Sequence, residues 1–239
     1  MKNSLGILGG LGPYASAYFY TLITQKTKAE KDQDHLNIIL LSHASTPDRT
    51  NYILDNSNEN PFNSLLEDCK TLEKLGCKMI TIPCNTASYF HDELQKNINI
   101  PISNLVKTTT DYIKYKNYKS AVIMGTEGTI KAGLYQKRLE KENIKCIFPN
   151  QENITKIIYN YIKKGIPVPE DLWNDTVKNL NADCFILGCT ELSILKGNNE
   201  TIKLDDKFID PLEIEAKKIL NIYQKERLWL YVRILRIYK

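Results

Sequence analysis

The stretch "MITIPCNTASYF", residues 79–90, joins an apolar run to a cysteine that has two polar residues directly after it. A short, nearly continuous apolar run is typical of a strand covered on both faces of a parallel sheet. A second stretch, "FILGCTEL" at 185–192, has the same plan and places a cysteine where its apolar run ends. The two stretches indicate a repeated unit with a thiol at the carboxyl end of a strand.

Short apolar runs alternate with longer stretches of helical periodicity along the chain. Strands are predicted at 4–9, 36–42, 78–83, 120–125, 144–148 and 183–188. Helices are predicted at 14–30, 62–75, 86–97, 104–115, 130–142, 151–164, 169–180 and 211–226. This alternation predicts an α/β fold with mainly parallel sheets flanked by helices.

The two halves of the chain open in the same way, with "GILGGLGP" at 6–13 and "VIMGTEGT" at 122–129. We therefore predict two similar Rossmann-like lobes. The first comprises residues 1–103 plus a C-terminal helix returning within 210–239, and the second comprises residues 104–209. Because ligands bind beyond the carboxyl ends of parallel strands, the site is expected in the cleft between the lobes.

The composition argues against several classes of protein. A net charge of +4 over 239 residues, with lysines spread along the chain, does not favour a nucleic-acid partner. No apolar stretch approaches the roughly 20 residues that a bilayer span needs, so no membrane partner is expected. Six cysteines without a CxxC pair predict free thiols, no structural metal and a cytoplasmic location.

The last sixteen residues, 224–239, contain three of the five arginines of the chain among dense apolar residues. Two interpretations remain open for this segment. It is either a helix that packs on the body or in an oligomer interface, or a basic anchor at a membrane surface.

The glycine turn after the first strand fits two different ligands. Residues 10–15 match the pattern G-x-G-x-x-A of a dinucleotide-binding turn. However, the next predicted strand ends in Ser42 and His43, where an acidic residue would be needed to bind ribose. We therefore favour glycines that let backbone amides approach a carboxylate, with no cofactor.

Cys84 and Cys189 are either two buried packing residues or a catalytic pair. A thiol before a helix lies near backbone amides that favour its thiolate, which makes it a usable base. Two opposed thiols suit racemisation, because one removes a proton from one face of a carbon atom and the other delivers a proton to the opposite face. Arg49, in the turn "PDRT", could grip a substrate carboxylate with two parallel hydrogen bonds.

Five motifs, spread from residue 6 to residue 192, together resemble the aspartate/glutamate racemase family, with the aspartate racemase branch as the nearest match. They are "GILGGLGPYAS" (6–16), "STPDRT" (45–50), "PCNTAS" (83–88), "MGTEGTIKAGLYQ" (124–136) and "GCTEL" (188–192). The resemblance implies a cofactor-independent enzyme with two Rossmann-like lobes, an acidic amino acid as substrate, and a homodimer.

The resemblance also implies roles for individual residues. Cys84 and Cys189 would be the proton donor and acceptor, and Arg49 would hold the side-chain carboxylate of the substrate. Lys163 would assist the reaction on aspartate, and Lys164 is the competing candidate for this role. The remaining residues implied to line the site are Leu11, Asn85, Thr86, Thr126, Thr190 and Glu191.

One position departs from the aspartate branch. Aspartate racemases of this type usually read "CNTAH", and here Ser88 stands in place of the histidine, as in glutamate racemases. His91 lies three positions further on and could present its side chain on the same face. A glutamate or broad-specificity racemase therefore stays an alternative, as does a non-catalytic amino-acid binding protein on the same scaffold.

Overall fold

The computed structural model describes residues 4–55, 57, 59–198 and 202–237, with side chains described in these ranges except at 198 and from 225 onward. The strands are β1 (Ser4–Gly9), β2 (Ile38–Ser42), β3 (Cys77–Thr81), β4 (Ile102–Ser103), β5 (Ser120–Gly125), β6 (Lys145–Ile147), β7 (Cys184–Gly188) and β8 (Phe208–Ile209).

The α-helices alternate with these strands. They are α1 (Pro13–Lys26), α2 (Arg49–Ile53), α3 (Phe62–Lys74), α4 (His91–Asn97), α5 (Leu105–Tyr115), α6 (Glu127–Lys131), α7 (Gln136–Lys141), α8 (Gln151–Lys156), α9 (Glu170–Val177), α10 (Thr190–Asn198) and α11 (Pro211–Ile237). Three 3₁₀ segments and one π-helical turn complete the description: Asp32–Asp34, Thr86–Phe90, Ile162–Lys164 and, for the π turn, Ile157–Tyr161.

The strands form two parallel four-stranded sheets with the same topology. The first sheet has the order β2-β1-β3-β4 and the second has the order β6-β5-β7-β8. All neighbouring strands in both sheets are parallel, with pairs such as Ile7 opposite Thr81 and Gly125 opposite Gly188. The prediction of two similar parallel lobes is therefore confirmed, and β3 and β7 occupy equivalent third positions in their sheets.

The central strands are buried on both faces, as parallel sheets between helices require. Every residue of β1 and β7 is buried, whereas the edge strand β2 is only partly covered. Apolar residues pack on both sides of each sheet. In the first lobe, α3 covers one face, and α1 and α11 cover the other, where Leu212 and Ala216 pack with Leu5 and Ile7.

Residues of α11 pack on the first sheet, and the predicted division into lobes, with boundaries at 103/104 and 209/210, stays a prediction. The interpretation of residues 224–239 depends on side chains that lie outside the described residues. In the described ranges, no helix combines the length and the apolar composition needed to cross a bilayer.

Several predicted helices end earlier or divide, for local reasons. The helix predicted at 14–30 ends at Lys26, because Thr27 is already extended. The helix predicted at 130–142 is interrupted at Gly133, whose φ of 64° breaks the helical repeat. The helix predicted at 151–164 changes to a π turn and then a 3₁₀ turn, and ends at Gly165 in the left-handed conformation.

Some elements were not predicted. The edge strands β4 and β8 are only two residues long, too short for an apolar pattern. Helix α2 has five residues and is stabilised by Asp48, whose carboxylate accepts the backbone N–H of Asn51 at its N-terminus. Helix α10 begins at Thr190, and only Cys189 lies between it and the last residue of β7, so no turn or loop sequence separates the strand from the helix.

We predict different costs for two glycine substitutions in the left-handed region. Gly165 has a φ of 68° and no described atom would contact an added Cβ, so Gly165→Ala should lower the free energy of unfolding by roughly 1 to 2 kcal/mol. Gly10 has a φ of 90°, and its Cβ would lie 2.5 Å from the backbone carbon of His43, so Gly10→Ala should cost several times more.

Urea unfolding of the two variants measures this difference, with Gly165→Ala as the matched control for backbone strain without a clash. Equal losses in the two variants would contradict the close approach of Gly10 to the chain after β2.

Candidate active site

The two cysteines lie at the carboxyl ends of the equivalent third strands of the two sheets. Cys84 comes three positions after the end of β3, and Cys189 directly follows β7. Both are buried, with 6% of each residue exposed. They line one cavity whose walls come from both halves of the chain.

The structure brings all ten predicted site residues to this cavity. The lining residues are Leu11, Asp48, Arg49, Thr50, Cys84, Asn85, Thr86, Thr126, Tyr159, Lys163, Cys189, Thr190 and Glu191. Lys163 lies in the cavity wall, whereas its competitor Lys164 does not line it. The assembly of these residues follows from the geometry, and their catalytic or binding roles stay predictions.

A buried chain of contacts starts at Cys189. Its Sγ lies 2.9 Å from Oε2 of Glu191. The other carboxylate oxygen of Glu191 lies 3.1 Å from Nζ of Lys163, in an ion pair with 7% of the Glu191 side chain exposed. Glu191 also lies against the glycine turn, where a Cβ on Gly12 would be 2.8 Å from its Oε1. The carboxylate is therefore fixed between a thiol and an ammonium group.

These contacts shift the titration of the groups involved. Burial raises the pKa of the Cys189 thiol well above its usual value, and the charge and hydrogen bond of Glu191 add to this rise. Burial lowers the pKa of Lys163, but the negative charges of Glu191 and Cys189 outweigh it and the net pKa is raised. Burial, followed by the charge of Cys189, raises the pKa of Tyr159 to about 12.

Arg49 begins α2 and is buried, with 9% of the residue exposed. Its Nη2 donates to the carbonyl of Leu11 at 2.8 Å, and its Nη1 donates to the carbonyls of Thr46 and Pro47 at 3.2 and 3.0 Å. Its Nε–H has no partner among the described residues. The guanidinium group therefore fixes the glycine turn and keeps an unpaired donor in the cavity wall.

Asn85 is held in one orientation across the cleft. Its Oδ1 accepts the hydroxyl of Tyr135 at 2.5 Å, which leaves its amide nitrogen with no partner among the described residues. A buried donor without a partner costs free energy, so native proteins rarely keep one without a ligand or water to satisfy it. Arg49 and Asn85 thus both offer buried N–H groups suited to an anion.

A cluster of hydroxyl groups joins the two halves of the chain at the cavity. Thr86, from the first half, lies 3.1 Å from the hydroxyl of Thr126 and 2.9 Å from that of Thr129. Thr50 donates to Thr126 at 3.3 Å. Thr126 also caps the N-terminus of α6, where its hydroxyl accepts the backbone N–H of Thr129, so the cluster is anchored to a helix N-terminus.

The cavity volume is about 20 Å³, which is room for about one water molecule. An adjoining pocket of about 250 Å³ shares Asp48, Thr50 and Tyr159 with it. An amino acid is much larger than one water molecule, so access requires displacement of the side chains or the lobes around the cavity.

Three lining residues were missed by sequence reasoning. Asp48 and Thr50 flank Arg49 in the same turn, so the motif that identified Arg49 could have identified them. Tyr159 lies four positions before Lys163, and the Lys163 ammonium is 5.2 Å from the centre of its ring. Helical spacing from Lys163 was the available signal for Tyr159.

Two polar residues near Cys84 face away from the cavity. Ser88 lines a separate surface groove between α4 and α7. His91 binds the carbonyl of Ile102 at 2.9 Å through Nε2 and the carboxylate of Asp92 at 2.9 Å through Nδ1. The idea that His91 stands in for a histidine beside Cys84 is therefore wrong. Nowhere in the described ranges do three His, Cys, Asp or Glu side chains converge as a metal site would require.

The chain is similar in sequence and in structure to known racemases. The chain is 26% identical over 228 residues to the broad-specificity amino-acid racemase RacX of Bacillus subtilis, which covers 92% of this chain and 97% of that protein. It is 27% identical to the aspartate racemase of Picrophilus torridus, with a TM-score of 0.76 over 92% of this chain and 94% of that one.

Glutamate racemases also match the chain in sequence, over a shorter range. The enzyme of Lysinibacillus sphaericus is 29% identical over 154 residues, which is 59% of this chain and 55% of that protein. A family model described as Asp/Glu/hydantoin racemase matches residues 8–219, a span that includes both cysteines and every lining residue of the cavity. The chain is therefore a member of the Asp/Glu/hydantoin racemase family.

Proposed function

We propose that this racemase interconverts L- and D-aspartate without a cofactor, by proton transfer between the α-carbon and two cysteines. The observation that carries the proposal is the convergence of Cys84 and Cys189, from equivalent strands of two similar sheets, on one buried cavity. Two thiols that line one cavity, one from each half of the chain, suit the need of racemisation for an acid and a base on opposite faces of one carbon.

The reaction then proceeds with one cysteine as a thiolate and the other as a thiol. The thiolate takes the α-proton, so the C–H bond breaks and an S–H bond forms. The thiol gives its proton to the opposite face of the carbanion, and the configuration is inverted. The reverse reaction uses the same two groups with exchanged roles.

The cavity offers donors for the charge that develops on the substrate. In our proposal, the unpaired Nε–H of Arg49 binds the side-chain carboxylate of aspartate, and Lys163 supplies a second positive charge nearby. The unpaired amide of Asn85 and the hydroxyls of Thr86 and Thr190 bind the α-carboxylate. Preorganised donors in a site that excludes water stabilise a carbanion more than they would in solution.

A broad-specificity racemase is the second candidate. The adjoining pocket of about 250 Å³, separated from the cavity by Asp48, Thr50 and Tyr159, offers space for side chains longer than that of aspartate. Tyr159→Ala would open this wall. Polarimetry with a panel of amino acids measures the turnover of each substrate. If turnover of larger amino acids rises above that of aspartate in the Tyr159→Ala variant, the pocket extends the substrate site.

The location and assembly of the enzyme are also proposals. All six cysteines are free, which supports a reducing compartment such as the cytoplasm. We propose a homodimer, and sedimentation at several protein concentrations tests it.

We expect single replacement of either cavity cysteine to lower racemisation of aspartate by about a thousandfold or more, because one of the two proton-transfer steps loses its group. The variants are Cys84→Ser and Cys189→Ser, which keep the shape of the side chain. Cys146→Ser is the matched control, since Cys146 is a half-buried thiol on β6 outside the cavity.

Exchange of the α-proton in D₂O separates the two roles. Each single variant should exchange the proton of one enantiomer only, and the two variants should act on opposite enantiomers. Retained racemisation in Cys84→Ser would rule out the two-base scheme. If the wild-type protein binds aspartate in calorimetry but exchanges no proton, the chain is a binding protein.

Arg49→Lys should raise KM for aspartate by about ten- to a hundredfold, because lysine keeps the charge but has no donor in the place of the unpaired Nε–H. Arg49 also holds three backbone carbonyls, so thermal unfolding is measured alongside to identify loss of fold. Alanine, which has no side-chain carboxylate, is the control substrate. Exchange of its α-proton gives a KM that is compared with the KM for aspartate. Equal rises of KM for both substrates would exclude a role in binding that carboxylate.

A further inference from the structure

The two cysteines lie in equivalent places but have unlike neighbours. Cys84 is followed by Asn85 and Thr86, which are neutral. At the corresponding positions after Cys189, the chain carries Thr190 and Glu191. A carboxylate therefore follows the cysteine in only one of the two repeated segments.

Glu191 makes direct contact with the Cys189 thiol. The distance of 2.9 Å between Sγ and Oε2 is short for a contact with sulfur. A carboxylate in an ion pair only accepts hydrogen bonds, so the thiol must be the donor. The second oxygen of Glu191 is occupied by Lys163 at 3.1 Å, which keeps the carboxylate charged and prevents its rotation away from the sulfur.

We propose that Glu191 is a positioning residue that holds Cys189 as a thiol in the resting enzyme, with Lys163 as its counter-charge. Cys84 is then the cysteine that accepts the first proton. The protonation of Cys189 can be tested without any assumption about the reaction, whereas its kinetic consequence rests on the proposed racemisation.

The charged and titratable groups around Cys189 support this assignment. Those that interact with it electrostatically are Glu191, Lys163, Tyr159 and Tyr135. Cys84, Arg49 and Asp48 line the same cavity. Burial and the carboxylate of Glu191 raise the pKa of Cys189, whereas the backbone N–H of Glu191 and the charge of Lys163 lower it, and the net pKa is raised. Burial also raises the pKa values of Tyr159 and Tyr135, so both stay neutral and add no charge at neutral pH.

The contact between Cys189 and Glu191 biases which of the two cysteines carries a proton in the free enzyme. After Cys189 gives its proton to the carbanion and Cys84 retains the α-proton, a thiolate lies beside the Glu191 carboxylate. This form is unfavourable, and it relaxes when the Cys84 S–H bond is broken, directly or through water, and the Cys189 S–H bond is formed again. Free enzyme therefore accumulates in the form that binds one enantiomer.

This bias has a signature that a purely structural role lacks. The equilibrium constant of racemisation is one, so kcat/KM must be equal in the two directions. The enantiomer that binds the minor form has the larger KM, because only a fraction of the enzyme is competent to bind it. Its kcat is larger by the same factor. Glu191→Gln should bring the two KM values closer together.

Titration of the Cys189 thiolate tests the proposal directly. Thiolate absorbance in the ultraviolet is followed against pH, and the signal of a Cys189→Ser protein in the same background is subtracted. Glu191→Gln should lower the pKa of Cys189 by about one unit or more, since a neutral amide replaces the charge and Lys163 is released. Lys163→Met should shift it in the opposite direction, because Glu191 is left without its counter-charge.

Glu152→Gln is the matched control, since Glu152 forms a solvent-exposed ion pair with Lys156 at 2.7 Å on the neighbouring helix α8. An unchanged or raised pKa of Cys189 in Glu191→Gln would overturn the proposal. If the Glu191→Gln protein does not fold, Lys163→Met decides the matter. A pKa of Cys189 that does not rise in Lys163→Met then overturns the proposal. The pKa of Cys189 could shift in the expected directions while none of the proteins, including the wild type, racemises aspartate. That result would refute the proposed function and leave the role of Glu191 in place.

Discussion

The hydrogen bonds of Thr86 to Thr126 and Thr129 join the two halves of the chain at the point where the cavity forms. Each half supplies one cysteine at the end of its third strand, and neither half encloses the cavity alone. The cluster consists of neutral hydroxyl groups, whose hydrogen bonds contribute about 1 kcal/mol each. Such bonds hold side chains of the two halves together around a cavity with room for about one water molecule, so side chains or lobes must be displaced before it can admit an amino acid.

The fold was largely predictable because its central strands are nearly continuous apolar runs. The predicted bounds of β1 and β5 agree with the structure, since covered parallel strands carry a strong signal. The repeated order of motifs likewise predicted two sheets of the same kind. Edge strands β4 and β8 lack such a signal, and the irregular helix at 151–164 depends on packing around the cavity that local sequence does not encode.

The residues at the site were predictable where a motif surrounds them. The turn around Arg49 and the segments after β3 and β7 brought their side chains to the cavity through the topology of parallel sheets. The contacts between them were not predictable, because they join distant parts of the chain. The bond between Tyr135 and Asn85 is one example, and the ion pair between Lys163 and Glu191 is another. Ser88, where the sequence departs from the motif expected of an aspartate racemase, lines an outer groove and not the cavity.

The close approach of Gly12 to Glu191 links two positions that are far apart in the chain. A methyl group on residue 12 would lie 2.8 Å from a carboxylate oxygen of Glu191, too near for both to remain in place. Substitution at either position therefore changes which residues are tolerated at the other. Among relatives, a shorter residue at the place of Glu191 would release the requirement for glycine in the turn, so the two positions should change together in evolution.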